Sequence, residues 1–376
     1  MRASAKSPCV ISSRKGGRAT INGTEMIVLG SNDYLGLSTD PRVLSSVIEA
    51  LQQFGSGACI YPTFVSTTLH EELCEELAAY LGTEAVILYS SGGAANSGVL
   101  TTLVGEGDTI FSDRLNHASI IDACRLSRAT VVTYPNRDVD GLKQALNAAS
   151  PQGKRLVVTD GIFSMEGGAA PLLEIYALAQ EYDALLMVDE AHATGVVGPN
   201  GTGTAPLCGL PNNSPGLVLT GSLSKALGGA SGGFVAGAAE EVAKLRAASR
   251  GWIFTMGLTT ANVATALAAT KICRSDPVLN YCLWANVSRL RRILETRGLS
   301  YYRSDNPITS LKIGNEDEAV SLSRSLANER IYAPAVIYPV VARSEARLRL
   351  QVSAAHTFED IDEAGRTIAT MIPQSP

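Results

Sequence analysis

Hydrophobic positions in this chain gather into short unbroken runs, separated by helix-length stretches. The runs are Ala85-Val86-Ile87-Leu88-Tyr89, Thr109-Ile110-Phe111, Ala129-Thr130-Val131-Val132-Thr133-Tyr134, Leu156-Val157-Val158-Thr159, Ala184-Leu185-Leu186-Met187-Val188 and Leu217-Val218-Leu219-Thr220. A short continuous apolar run is the pattern of a strand buried on both faces, as in a parallel sheet. Alternation of such strands with helical segments predicts a mainly parallel, three-layer α/β domain. Near position 270 the pattern changes to charged helices such as Val287 to Glu295. The strands Ile308 to Ile313 and Arg347 to Val352 follow, then a last helix beginning near Glu359. The expected organisation is a large domain over 46–270, a smaller α+β C-terminal domain over 271–376, and an N-terminal segment, 1–45, packing with the small domain.

Bulk properties narrow the function. With 376 residues, 45% of them hydrophobic, the chain can bury a large core. A net charge of -5 leaves no basic surplus for a phosphate backbone, which argues against nucleic acid. No apolar stretch reaches the roughly 20 residues of a membrane helix, and the basic start, Met1 to Cys9, lacks an apolar signal core. The seven cysteines are scattered and never form a Cys-x-x-Cys pair, which argues against disulfides and zinc and for a cytoplasmic protein.

The chemistry gathers at strand ends. One apolar run ends in Asp189-Glu190-Ala191-His192, and another leads into Gly221-Ser222-Leu223-Ser224-Lys225. In parallel sheets ligands sit beyond the carboxyl ends of the strands, so an acid, an imidazole and an amine meet around one pocket. A reactive amine and an acid for a pyridinium nitrogen are what pyridoxal phosphate (PLP) requires of a protein. Taken singly, each residue has a plainer reading. Lys225 alone reads as a surface lysine, Asp189 equally as a helix N-cap, and His192 as a buried histidine satisfied by backbone. His117 also follows a strand-like run, where its ring is placed to stack on a flat cofactor. Ser90-Ser91-Gly92-Gly93-Ala94-Ala95-Asn96 is a strand-to-helix turn whose glycines and helix N-terminus suit a phosphate. It reads also as a tight turn with a serine cap. Ser222 can add a hydroxyl to the same phosphate.

Other patterns fall away. Gly229-Ala230-Ser231-Gly232-Gly233 matches a hydrolase Gly-x-Ser-x-Gly but reads better as a turn after the lysine loop. Gly55-Ser56-Gly57-Ala58-Cys59-Ile60 lacks the last small residue of a dinucleotide fingerprint, and His70-Glu71-Glu72-Leu73-Cys74 is not His-Glu-x-x-His.

Together these motifs resemble the α-oxoamine synthases of PLP fold type I. The resemblance runs from Ser31-Asn32-Asp33-Tyr34-Leu35-Gly36-Leu37 through Ser90 to Asn96, Asp113 to Ser119 and Phe163-Ser164-Met165-Glu166-Gly167. It continues through Val188 to Gly195, Ser222 to Gly229, Ala346 to Arg349 and Ala354-Ala355-His356-Thr357. It implies a PLP fold type I, aminotransferase-like α/β architecture with Lys225 as cofactor anchor and carrier of the α-proton. Asp189 then pairs with the pyridine nitrogen, His117 stacks on the ring, and His192 and Ser164 address the phenolic oxygen. Gly92, Gly93 and Ser222 hold the phosphate, Arg349 holds the amino-acid carboxylate, and Asn32 and Tyr34 line the substrate entrance. The implied reaction joins an amino acid to an acyl-CoA or acyl carrier protein thioester, with loss of carbon dioxide, giving an α-amino ketone. A homodimer with shared active sites is implied by the same resemblance. Amino-acid decarboxylation, transamination or a non-catalytic supporting role are the alternatives on this fold.

The chain departs from the family at Gly93, where an aromatic is usual, at Met256, usually a threonine, and at Thr259-Thr260, usually prolines. It also lacks the arginine of the family's Gly-x-Gly-Gly-Ser-Arg stretch, here Gly55 to Ile60. These changes imply a divergent member with an altered substrate, the lost aromatic making room for a bulkier amino acid or another acyl carrier.

Overall fold

The computed structural model describes residues 9–57, 59–149, 152–165, 167–302 and 304–372. Residues 1–8 of the N-terminal segment, Ala58 of the glycine stretch and Glu166 of the Phe163–Gly167 motif lie outside the described residues.

Three strands open the chain, β1 (Ile11–Lys15), β2 (Arg18–Ile21) and β3 (Thr24–Val28), paired antiparallel in sequence order. Next come β4 (Ala85–Tyr89), β5 (Thr109–Asp113), β6 (Thr130–Tyr134), β7 (Arg155–Asp160), β8 (Ala184–Asp189), β9 (Leu217–Ser222) and β10 (Gly233–Gly237). They form one seven-stranded sheet in the order β4-β10-β9-β8-β7-β5-β6. All its neighbours pair in parallel except β10, which runs antiparallel to both β4 and β9. The apolar runs thus become six of these strands. The seventh, β10, follows the Gly228–Gly232 turn directly, and the sequence pattern hides it because Gly233 and Gly237 bracket only three apolar residues. Glycine at 233 has a steric cause: a Cβ there would lie 2.4 Å from the Ser91 carbonyl group.

Alternate residues of the sheet face two apolar layers. Phe111, Val157, Leu186, Val188 and Phe234 pack toward Leu73, Leu77, Ile175, Val263 and Leu267 of helices Thr68–Leu81, Leu172–Glu181 and Thr260–Ser275. Ile110, Leu156, Val158, Met187 and Val235 face Val99, Ile120, Ala123 and Leu245 of helices Gly92–Leu100, Ala118–Leu126 and Ala239–Ala248. Each fully buried aliphatic side chain contributes roughly 1.5–3 kcal/mol. The sheet is therefore the rigid middle layer, and its edge is a firm mount for chemistry.

After helices Thr260–Ser275 and Val278–Thr296 come β11 (Ile308–Gly314), β12 (Ile331–Tyr332), β13 (Ala335–Val336) and β14 (Ala346–Gln351). The order β11-β14-β13 makes a small antiparallel sheet, while β12 joins β3 in parallel. The Gln351 N–H donates to the Leu29 carbonyl at 2.8 Å, tying the start of the chain to the strand that carries Arg349. The last helix, Phe358–Met371, opens with a capping box between Thr357 and Asp360.

Candidate functional site

Because β4, β5, β7, β8 and β9 run in one direction, their carboxyl ends share one edge of the sheet. The loops leaving that edge carry Ser91, Gly92 and Gly93, then His117 and Ser119, then Asp160 and Ser164, then Asp189 and His192, then Ser222, Ser224 and Lys225. All line one cavity of about 240 Å³. Gly92, Gly93, His117, Ser164, Asp189, His192, Ser222 and Lys225, spread over more than 130 positions of sequence, thus converge.

Asp189 does not cap a helix. Its Oδ1 accepts the Ala191 N–H at 2.9 Å, and its Oδ2 accepts from Asn96 Nδ2 at 2.7 Å. Asp160 is its register partner on β7. Asp160 Oδ2 accepts the His117 N–H at 3.2 Å, whereas its buried Oδ1 has no partner. Burial pushes the Asp160 carboxyl well above the usual carboxylate range, and the neighbouring charge of Asp189 pushes it the same way.

The Lys225 amine is held below its ordinary value, chiefly by burial, with Asp189 and Asp160 opposing that shift and Arg349 adding to it. His192 is half-buried, and its pKa is well depressed, by desolvation first and then by the positive charges of Lys225 and Arg349. Its Nδ1 faces the Tyr34 hydroxyl at 3.0 Å, and that oxygen also accepts from Gln351 Nε2 at 3.1 Å. The phenol proton therefore points to Nδ1, and Nε2 of His192 carries the ring's hydrogen. Tyr34 itself is held protonated by burial.

Asn32, Tyr34 and Arg349 stand one layer behind the cavity wall. Asn32 Oδ1 accepts from Gln351 Nε2 at 2.6 Å, and Arg349 Nε donates to the Ser164 carbonyl at 2.7 Å. The N-terminal segment and β14 thus close on the loop after β7 from the side opposite the helix Gly92–Leu100.

The residues present fit PLP on three observations. A buried carboxylate oxygen of Asp160 lines the cavity unsatisfied. The first turn of helix Gly92–Leu100 ends at the cavity, where its leading N–H groups lack intrahelical partners and favour an anion. Gly92 there approaches β9 so closely that a Cβ would lie 3.2 Å from the Cβ of Ser222. The Ser222 and Ser224 hydroxyls, 2.7 Å apart, complete that cradle.

Apart from Gly93, which lines the cavity, the departures lie elsewhere. Met256 is 50% exposed and lines a separate cavity with His70, Cys74, Arg246 and Trp252. Thr259 caps the helix Thr260–Ser275, accepting the Asn262 N–H at 3.4 Å. A Cβ at Gly93 would meet only the Ser119 and Ser91 side chains, the nearest atom at 3.4 Å.

Sequence reasoning passed over Asp160, Ser119, Asn96 and Gln351. Asp160 carried the signal that found Asp189, an acid directly after an apolar run. Asn96 and Gln351 had none, because their partners lie 93 and 319 positions away.

The family model for class I and II aminotransferases matches residues 24–368. The 8-amino-7-oxononanoate synthase of Thermoanaerobacter pseudethanolicus is 42% identical, over 94% of this chain and 90% of that protein. Among solved structures, serine palmitoyltransferase of Sphingomonas wittichii superposes with a TM-score of 0.92 at 29% identity, covering 97% of this chain and 93% of that one. The 8-amino-7-oxononanoate synthase of Francisella tularensis gives 0.78 at 26%, covering 92% of this chain and 97% of that one.

Proposed function

Because this chain belongs to the α-oxoamine synthases, within the class I and II aminotransferase family, we propose that it joins alanine to the thioester of a seven-carbon diacid. It is a PLP-dependent C-acyltransferase that condenses an amino acid with an acyl thioester. The substrate assignment rests on product logic. Cutting 8-amino-7-oxononanoate between its amino-bearing and oxo-bearing carbons leaves a seven-carbon diacid acyl group and the two carbons alanine keeps after losing its carboxyl group.

In the balanced reaction the α-carbon bonds to the thioester carbonyl carbon, the C–S bond breaks and the thiol leaves protonated. Carbon dioxide leaves, and a proton takes its place. PLP, when bound, supplies a sink for the electron pair freed at the α-carbon. The rest falls to the side chains. Lys225 Nζ would anchor the cofactor and carry the α-proton, a task that its lowered pKa favours. Asp189, pinned by Asn96 and Ala191, presents a carboxylate toward the pyridine nitrogen. His192 offers its Nε2–H, and His117 packs against the ring. With PLP bound, Gly92, Gly93, Ser222 and the helix N-terminus would hold the phosphate, and Arg349, beside Asn32 and Tyr34 behind the cavity wall, would reach the substrate carboxylate. The observation that carries this reading is the half-buried amine and the pinned acid on one cavity at the end of adjacent strands β8 and β9.

Tyr61, Phe64 and Val65 stand exposed beside Phe254 and Met256, and the two loops are joined by the Gly257 N–H to the Ile60 carbonyl. That apolar patch supports a homodimer whose active sites are completed across the interface. All cysteines among the described residues are free, which accords with a cytoplasmic setting.

The test supplies PLP with alanine, glycine, serine or a larger amino acid, and the seven-carbon diacid as its CoA or carrier-protein thioester. Thiol release and product mass are followed. The α-amino ketone from alanine is expected. Amino-acid turnover without a thioester would instead support decarboxylation or transamination. A larger amino acid is the second reading, favoured by Gly93, which brings no side chain of its own to the cavity wall. It requires that Gly93→Tyr narrow the substrate range, and an unchanged range removes it.

A further inference from the structure

Asn96 is 1% exposed and lines the cavity, and the reaction above uses it only to pin Asp189. Its side chain touches three elements. Oδ1 accepts from Thr220 Oγ1 of β9 at 2.6 Å, and Nδ2 donates to Asp189 Oδ2 of β8 at 2.7 Å and to Ser119 Oγ at 2.9 Å. Ser119 Oγ lies 2.8 Å from His117 Nδ1. A carboxylate only accepts, so the amide must turn its Nδ2 to Asp189 and its oxygen to Thr220. Ser119 then accepts from Asn96 and has its own proton left for His117 Nδ1. That nitrogen also accepts the Ser119 N–H, at 3.3 Å, so the ring hydrogen of His117 resides on Nε2.

We infer that Asn96 is a positioning residue that serves, through one amide, both the acid and the imidazole bordering the cofactor slot: it orients the Asp189 carboxylate and, through Ser119, aims a hydroxyl proton at His117 Nδ1, the nitrogen that the Ser119 N–H also keeps as an acceptor. The inference rests on the PLP reading of this cavity. The donors run one way, Thr220 to Asn96 to Asp189 and Ser119 to His117, and the accept-only Asp189 carboxylate sets the direction of the amide.

Asn96→Asp tests this at constant shape. Whatever its protonation, the carboxyl oxygen between Asp189 and Ser119 accepts the Ser119 hydroxyl proton, because any proton on it is drawn to Asp189. His117 Nδ1 then loses the Ser119 hydroxyl proton and keeps only the Ser119 N–H, at 3.3 Å. The readout is the ring ¹⁵N spectrum of the full-length chain, which has four histidines, with His117→Gln marking the relevant signal. A spectroscopic titration measures PLP affinity alongside it. Expected are the Nε2–H form in both proteins, a His117 Nδ1 resonance moved toward that of an unbonded ring nitrogen in Asn96→Asp, and PLP affinity about 10- to 100-fold weaker in Asn96→Ala. That is the scale on which groups orienting a functional shell act. If Asn96→Asp does not fold, Asn96→Ala, which removes the donor to Ser119 Oγ and frees that hydroxyl to turn, should move the same resonance the same way. An unchanged His117 Nδ1 resonance with PLP affinity within about twofold of wild type in the folded variants would overturn the inference. A wild type that fails to bind PLP would instead refute the functional reading, while the resonance result would still stand.

Discussion

Replacing Asp189 by Asn keeps the shape of the side chain and reverses one hydrogen bond. In the native protein both carboxylate oxygens receive N–H donors, from Ala191 at 2.9 Å and from Asn96 Nδ2 at 2.7 Å. An amide offers one acceptor and one donor, so one native N–H must face another N–H. The site is 8% exposed, and water cannot easily relieve the clash. Turning the Asn96 amide over only moves the mismatch to Ser119 and His117. An unsatisfied buried donor costs about 1–3 kcal/mol, and that is the expected loss of unfolding free energy in urea, measured without PLP. The lost charge acts as well. Asp189 raises the Lys225 pKa, so in Asp189→Asn the amine should titrate lower than in the wild type. PLP affinity and turnover should fall together. Stability within about 0.5 kcal/mol of wild type, with unchanged PLP affinity, would refute both the hydrogen-bond accounting and the assigned partner.

Further outcomes follow from the same geometry. Glu190 is buried against the Thr204 and Ala205 N–H groups, and burial pushes its carboxyl up to about 7 from 4.5. The folded state then binds a proton that the unfolded state has released, so this contribution is complete below pH 4.5 and is lost as pH rises to about 7. Over that window it amounts to about 3 kcal/mol. Glu190→Gln should remove this slope from the pH dependence of urea unfolding, and a slope that persists unchanged would assign it to another group. Arg349→Lys keeps the charge but loses the guanidinium fork and the bond to the Ser164 carbonyl. The KM for the amino acid should rise about 10- to 100-fold, with the acyl thioester KM unchanged. Lys225→Ala should abolish product formation, and borohydride reduction of the wild type with PLP should label the peptide containing Lys225 and no other.

The sequence by itself determined six of the seven strands of the large sheet and the acid, imidazole and amine at their ends. Both are local signals: a buried parallel strand must be apolar along its whole length, and the ligand edge follows from strand direction. It also carried an acid at the end of β7, Asp160, under the same rule that identified Asp189. Only the tertiary structure decided that β10 runs antiparallel between β4 and β9, because five residues bracketed by glycine have no periodicity to read. It alone tied Asn96 to Asp189 and Gln351 to both Asn32 and Tyr34. A hydrogen bond between side chains 93 or 319 positions apart leaves no trace in the spacing of either. It exists because the sheet brings the two backbones together, and the orientation of the groups around the cavity is set at that level.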